Sequence, residues 1–103
     1  MQRKAKFSIG EVIEHRLFSY RGVIFDVDIE FSESDTWYTN NATSQPDKDQ
    51  PWYRVMVDGE AYETYAAEIN LQADSNTDPI HHPAVRKVFS ETNSGYKLRN
   101  RLN

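Results

Sequence analysis

The chain contains no cysteine. Disulfides, thiolate metal sites and thiol nucleophiles are therefore excluded, and a reducing compartment is compatible. Glycine is scarce and scattered: Gly10, Gly22, Gly59 and Gly95 each stand alone. No glycine-rich loop is available to cradle a phosphate, and no serine sits in a Gly-x-Ser-x-Gly elbow. No apolar run is long enough for a membrane span or for the core of a signal peptide. The sequence thus reads as a soluble cytoplasmic protein with no membrane partner. Lacking a grouping of nucleophile, base and oxyanion donors, and lacking any cofactor motif, it reads as a binding or regulatory module and not as an enzyme.

What is present fits one small domain. The chain has 103 residues and a mass of 12.0 kDa, enough for a single modest core. Hydrophobic residues make up 38 % and aromatic ones 13 %, so a large share of the apolar side chains are rings, suited to filling a small barrel or seeding an interface. Charge is distributed unevenly. Arg3, Lys4 and Lys6 give residues 1–6 a charge of +3, and Arg86, Lys87, Lys97, Arg99 and Arg101 against Glu91 give residues 86–103 a charge of +4; with -4 overall, the stretch between carries -11. Nucleic-acid contacts, if made, are expected to lean on the two ends.

The chain is organised around Asp49 to Gly59, where a polar, Pro-containing lead-in runs into the strand Trp52–Val57 and ends in Asp58-Gly59, a hairpin signal. Ala61 to Tyr65 is the expected return strand. Tyr53, Val55 and Val57 are expected to face the barrel, with Trp52, Arg54 and Met56 on the other side. Earlier, Glu11 to Phe18 and Val23 to Asp28 read as strands joined by a turn over Ser19 to Gly22. Residues 29–50 lose periodicity, and this acidic insertion is either an interaction surface or a flexible connector. Ala66 to Asn70 suggests one helical turn before a last short strand, with Ile69 and Leu71 on one side. Val85, Val88 and Phe89 have helical spacing behind Pro83, whereas residues 90–103 read as a basic mobile tail. The expected fold is mainly β: a small SH3-like, partly open barrel of about five strands, with a one-turn helix and a short C-terminal helix. Its residue ranges are a basic segment over 1–6, the domain over 7–89, and the tail. Open strand edges suggest homo-oligomerisation.

Three groupings invite chemistry. Asp26, Asp28, Glu30, Glu33 and Asp35 lack the glycine and terminal glutamate of a Ca²⁺ loop and read as a solvated face. Adjacent His81 and His82 point in opposite directions on an extended chain and, with no cysteine, do not form a zinc set. Of the many aromatics, Phe18, Phe25 and Tyr53 are expected in the core with the others covering it. Trp37, Tyr38 and Trp52 are the candidate anchors for a protein partner.

Lys6-Phe7-Ser8-Ile9-Gly10, His15 to Asp28, Asp49-Gln50-Pro51-Trp52-Tyr53, Ala67 to Leu71 and Ile80-His81-His82-Pro83 resemble, in the same order, the blocks of the YccV-like, hemimethylated-DNA-binding family. The resemblance covers roughly residues 6–89. It implies a β-barrel without catalytic activity in a heat-shock context, which binds hemimethylated double-stranded DNA, acts as a specificity-enhancing factor for the ATP-dependent protease Lon and its substrates, and forms a homo-oligomer. For DNA the candidate residues are Lys4, Lys6, Arg16, Arg21, Arg54, Arg86 and Lys87. The acidic body pulls against DNA as the main partner unless the basic residues gather on one face. A protein-interaction module without specific DNA binding is the alternative.

Overall fold

A computed structural model describes residues 4–93 and 95–99. Five strands form one antiparallel sheet in the order β4-β3-β2-β1-β5, with β1 Val12–His15, β2 Arg21–Asp28, β3 Trp52–Val57, β4 Glu63–Ala67 and β5 Leu71–Ala73. The sheet curls into a barrel that does not close, because β4 and β5 at its two ends are joined through a 3₁₀ turn, Glu68–Asn70, and not by a ladder. A bulge at Phe25 shifts the β2–β3 register between Ile24 and Asp26, which bends β2 as closure demands. Gly22 stands where β2 crosses β3: a Cβ there would lie 2.4 Å from Val55 Cγ1 and 2.5 Å from the Met56 carbonyl oxygen. That proximity is open only to glycine, so Gly22 belongs to the strand and not to the preceding turn.

The central strand is buried on both faces. Tyr53 and Val55 pack inward with Phe7, Ile13, Ile24, Ala66 and Leu71. The opposite face is divided. At one end Met56 packs with Val23, Ile80, Val85 and Phe89; at the other, Trp52 packs with Ala42, Tyr65 and Ala67, with Phe31, Trp37 and Tyr38 laid over them. Two outer layers thus flank Arg54. The first comprises the single helical turn α2 Val85–Val88 and the hairpin β6 Phe89–Thr92 with β7 Gly95–Leu98. The second is the 29–50 excursion with its helix α1 Asp35–Asn41, capped by Ser34, whose Oγ accepts the Trp37 N–H.

Several expectations change. Trp52 is 1 % exposed, because the excursion folds back over the face on which it lies. The 90–103 tail begins as structure: Phe89–Thr92 pairs with Gly95–Leu98, held by Phe89 and by the Tyr96 hydroxyl, which accepts the Ile80 N–H at 2.7 Å. Arg3 and Arg101 lie outside the described residues. Phe18, expected in the core, is 63 % exposed and stacks on His15 at 4.7 Å. Ile69 is exposed while Leu71 is buried, since the 3₁₀ turn ends between them and resets their directions. The Asp58-Gly59 hairpin, with Gly59 at φ +82°, and the turn at Val85–Val88 stand where the sequence puts them, whereas Ala66 and Ala67, expected in the turn before β5, continue β4 and leave that turn to Glu68–Asn70.

Three tyrosine hydroxyls anchor incoming chain. Tyr53 Oη accepts the Phe7 N–H at 3.1 Å and donates to Glu68 at 2.6 Å; Tyr65 Oη accepts the Ser32 N–H at 3.0 Å and donates to Asp28 at 2.7 Å; Tyr96 holds Ile80. Burial, then the carboxylate acceptor, pushes the Tyr53 and Tyr65 phenols well above their ordinary range, so both remain protonated donors at physiological pH.

Candidate nucleic-acid interface

A phosphate contact requires a cation whose charge is not already matched, so the candidate residues divide by their surroundings. Arg21 is matched. Its guanidinium binds Asp74 through Nε and Asp58 through Nη1 at 3.1 Å, and Nη2 donates to the carbonyls of Asn76 and Asp78 at 3.3 and 2.9 Å. Burial works against the Arg21 charge, but the hydrogen bond and charge of Asp74, then those of Asp58, more than offset it, and its proton is held more tightly than usual. Burial likewise pushes Asp74 up, yet the Arg21 and Asn76 hydrogen bonds leave it below the ordinary 3.8. Arg21 therefore fastens the loop after β5 to the barrel.

Arg54 is matched as well. Nη2 reaches Glu33 at 2.5 Å and Asp28 at 3.8 Å, Nε lies 3.8 Å from Asp26, and the guanidinium carbon sits 4.4 Å from the Tyr65 ring centroid. The Glu33 hydrogen bond is the leading cause of its raised pKa. The acidic run read from sequence as a solvated face thus converges, in part, on one arginine. Lys48 pairs with Asp35 at 2.8 Å and lies over the Tyr38 ring at 4.5 Å.

The remaining cations are exposed and form two groups. Arg86 and Lys87 on α2, Lys97 on β7 and Arg99 just beyond it belong to one layer, where β7 pairs with β6, Arg99 N–H bonds to Val88 O at 3.0 Å and Arg99 Nε donates to Arg86 O at 2.5 Å. Among the described residues, none of these four side chains is in a salt bridge. The second group lies near the 3₁₀ turn: the Lys6 N–H bonds to Glu68 at 2.7 Å, and Arg16 Nε donates to Leu71 O at 3.3 Å, with Lys4 exposed nearby in sequence. Lys97 and Arg99 join Arg86 and Lys87 only because the hairpin forms. The turn-forming run Asn93-Ser94-Gly95, flanked by short β-compatible segments, is the signal that marks it.

The protein-contact candidates are placed together. Trp37 packs edge-on to Trp52 at 6.3 Å and to Tyr65 at 5.4 Å, and Tyr38 donates to Pro46 O at 2.9 Å while meeting Phe31 edge-on at 5.4 Å. Trp37 and Tyr38 are partly buried and Trp52 wholly so. The outward apolar side chains are others: Leu17, Phe18 and Ile69 are more than half exposed, and the Arg16 N–H to Asn70 O bond at 2.7 Å brings their segments side by side. The histidines serve the fold. His15 Nδ1 accepts the N–H groups of Leu17 and Phe18 at 3.2 and 3.1 Å, and burial holds its pKa below the ordinary 6.5. His82 Nδ1 accepts the Ala84 N–H at 3.0 Å while Nε2 meets Glu63 at 3.0 Å; the His81 N–H bonds to Asp58.

Compared with known protein families, residues 5–96 match the one described as hemimethylated DNA-binding protein YccV like. The match takes in the barrel, both outer layers and two of the four cations on the α2–β7 layer.

Proposed function

Because the chain belongs to the YccV-like family, we propose that it binds hemimethylated double-stranded DNA as a non-enzymatic module, and that the α2–β7 layer meets the phosphates. The observation that carries this reading is the division of cations: Arg21 and Arg54 are committed to carboxylates inside an acidic body, while Arg86, Lys87, Lys97 and Arg99 are exposed on one layer and, among the described residues, in no salt bridge. Four exposed cations on one layer weigh against the electrostatic objection that a body of this charge raises to DNA. In the same reading the protein is cytoplasmic, acts in heat shock as a specificity factor for a Lon-type ATP-dependent protease and its substrates, and works as a homo-oligomer. Resemblance to the family supports those finer roles, as do the outward apolar side chains Leu17, Phe18 and Ile69.

The test is a titration of hemimethylated, fully methylated and unmethylated duplexes of one sequence across a salt series. Hemimethylated DNA is expected to bind tightest, with a log-linear salt dependence whose slope falls by about 1 for each of Arg86→Ala, Lys87→Ala and Lys97→Ala. Equal binding of all three duplexes at physiological salt would remove the hemimethylated-DNA reading. An unchanged slope in the triple variant would remove the layer as its face. A protein-interaction module is the second reading; degradation assays of protease substrates with and without the protein, and with Phe18→Ser or Ile69→Ser, address it separately.

A further inference from the structure

The barrel has an open seam away from the cationic layer. β4 pairs only with β3, and among the described residues its backbone makes no other backbone hydrogen bond, leaving one row of N–H and C=O groups unpaired. A cavity of about 400 Å³ touches every residue of this strand, from Glu63 to Ala67. Successive strand side chains point to opposite faces. A space touched by five consecutive residues therefore runs along the strand's edge and not over one of its faces.

The walls describe the occupant. On the far side stands His15, stacked with Phe18 and with Tyr20 at 5.0 Å, and one hydrogen bond, Tyr20 Oη to Thr64 Oγ1 at 2.7 Å, crosses the seam. Ala66 and Ala67 leave room beside the edge for incoming side chains. Trp52 also lines the cavity, and among the described residues its buried indole N–H has no hydrogen-bond partner, an unused donor in the cavity wall. Charge narrows the choice further. Arg54, at the cavity wall, is outnumbered by Asp26, Asp28 and Glu33, which stand behind it outside the lining, and Glu63, the carboxylate of the lining, meets His82. Such a surround favours a cationic occupant and repels a phosphodiester.

We propose that the β4 edge is a docking site for an extended segment of another protein, alternating basic and apolar residues, which adds as a further strand and lays its side chains over Phe18 and into the cavity. The cavity lining shares no residue with the α2–β7 cations, so this site stands whether or not DNA binds.

The test uses the full chain, isotope-labelled, and two blocked octapeptides of alternating residues, Val-Lys and Val-Glu. The Val-Lys peptide is expected to slow amide exchange in Glu63 to Ala67 and to shift the Trp52 indole N–H resonance, with the Val-Glu peptide at least about tenfold weaker. A Val-Lys peptide N-methylated at alternate residues cannot complete a ladder and is expected to lose binding. Phe18→Ser, at an exposed position, is expected to weaken binding severalfold with thermal stability retained. Unchanged β4 exchange, equal binding of the N-methylated peptide, or shifts confined to α2 and β7 would each overturn the proposal. So would β4 protection that grows with protein concentration alone, which would assign the seam to a second copy of this chain, and so would the same shifts produced by a DNA duplex.

Discussion

The two layers over the outer face of β3 are assembled from the same parts and close to different degrees. Each receives one large side chain from β3, Met56 or Trp52; each is fastened by an arginine, Arg21 or Arg54; and each enters under a tyrosine hydroxyl that takes a backbone N–H, Tyr96 or Tyr65. In the C-terminal layer Met56, Ile80, Val85 and Phe89 are all buried. In the excursion layer no residue of α1 is buried, and among the described residues the Trp52 indole N–H has no partner; clefts border both layers. Flexible and branched side chains, Met56, Ile80 and Val85, meet beneath α2, whereas in the excursion layer rings meet edge to face and fix the distances between them. The two layers thus differ in side-chain shape more than in apolar content.

The contrast can be broken most directly at the buried rings. Phe89→Ala is expected to cost about 4 kcal/mol in urea denaturation, the range for emptying a filled aromatic site, whereas Trp37→Ala, at a half-buried ring beside an existing gap, should cost about half as much; equal losses would show that the excursion layer is packed as well as the other. The arginines come next. The Arg21 side chain is 15 % exposed and Arg54 32 %, so Arg21→Met should cost about 3 kcal/mol by stranding Asp58 and Asp74, and Arg54→Met about 1 kcal/mol because its carboxylates reach water. A reversed order in paired melts would make Arg54 the stronger fastening.

Trp52→Phe sharpens the comparison on a finer scale. It deletes the unpartnered N–H together with some ring volume, and the two effects oppose, so a change within about 1 kcal/mol is expected; a loss several times larger would mean that the indole N–H is already satisfied. Acid produces the smallest effect. His15 titrates below 6.5 in the fold because of burial, so the unfolded chain takes up the proton first: stability is full above about pH 6.5 and declines as pH falls toward the folded-state pKa. A His15→Gln variant should show a flatter melting profile across that window, and an unaltered profile would assign the acid response elsewhere.

Much of this was legible in the sequence where local chemistry decides. Asp58-Gly59, the β-branched run from Val23 and the alternation at Tyr53, Val55 and Val57 specify strands and a turn without help from distant residues. The layers were not legible, since Trp52 is covered by a segment that precedes β3 and Met56 by one that follows β5, and nothing in the alternation of β3 reports that cover. The same holds for the cations: Arg21 and Arg86 look alike in a sequence, yet one meets Asp74 and Asp58, more than thirty residues away, and the other meets solvent.

Burial of β3 on both faces also carries a kinetic consequence. The three tyrosine anchors close spans of 46, 33 and 16 residues, and each needs a strand already in place to receive the incoming amide. Pairing of β3 with β4 through their short hairpin is expected to precede docking of either layer, because closing the longer spans costs more chain entropy before any contact repays it. Substitutions at Phe89 or Trp37 should then appear almost wholly as faster unfolding, while substitutions at Val55 should slow folding. The strand that looks like the middle of the structure is also the beginning of its assembly.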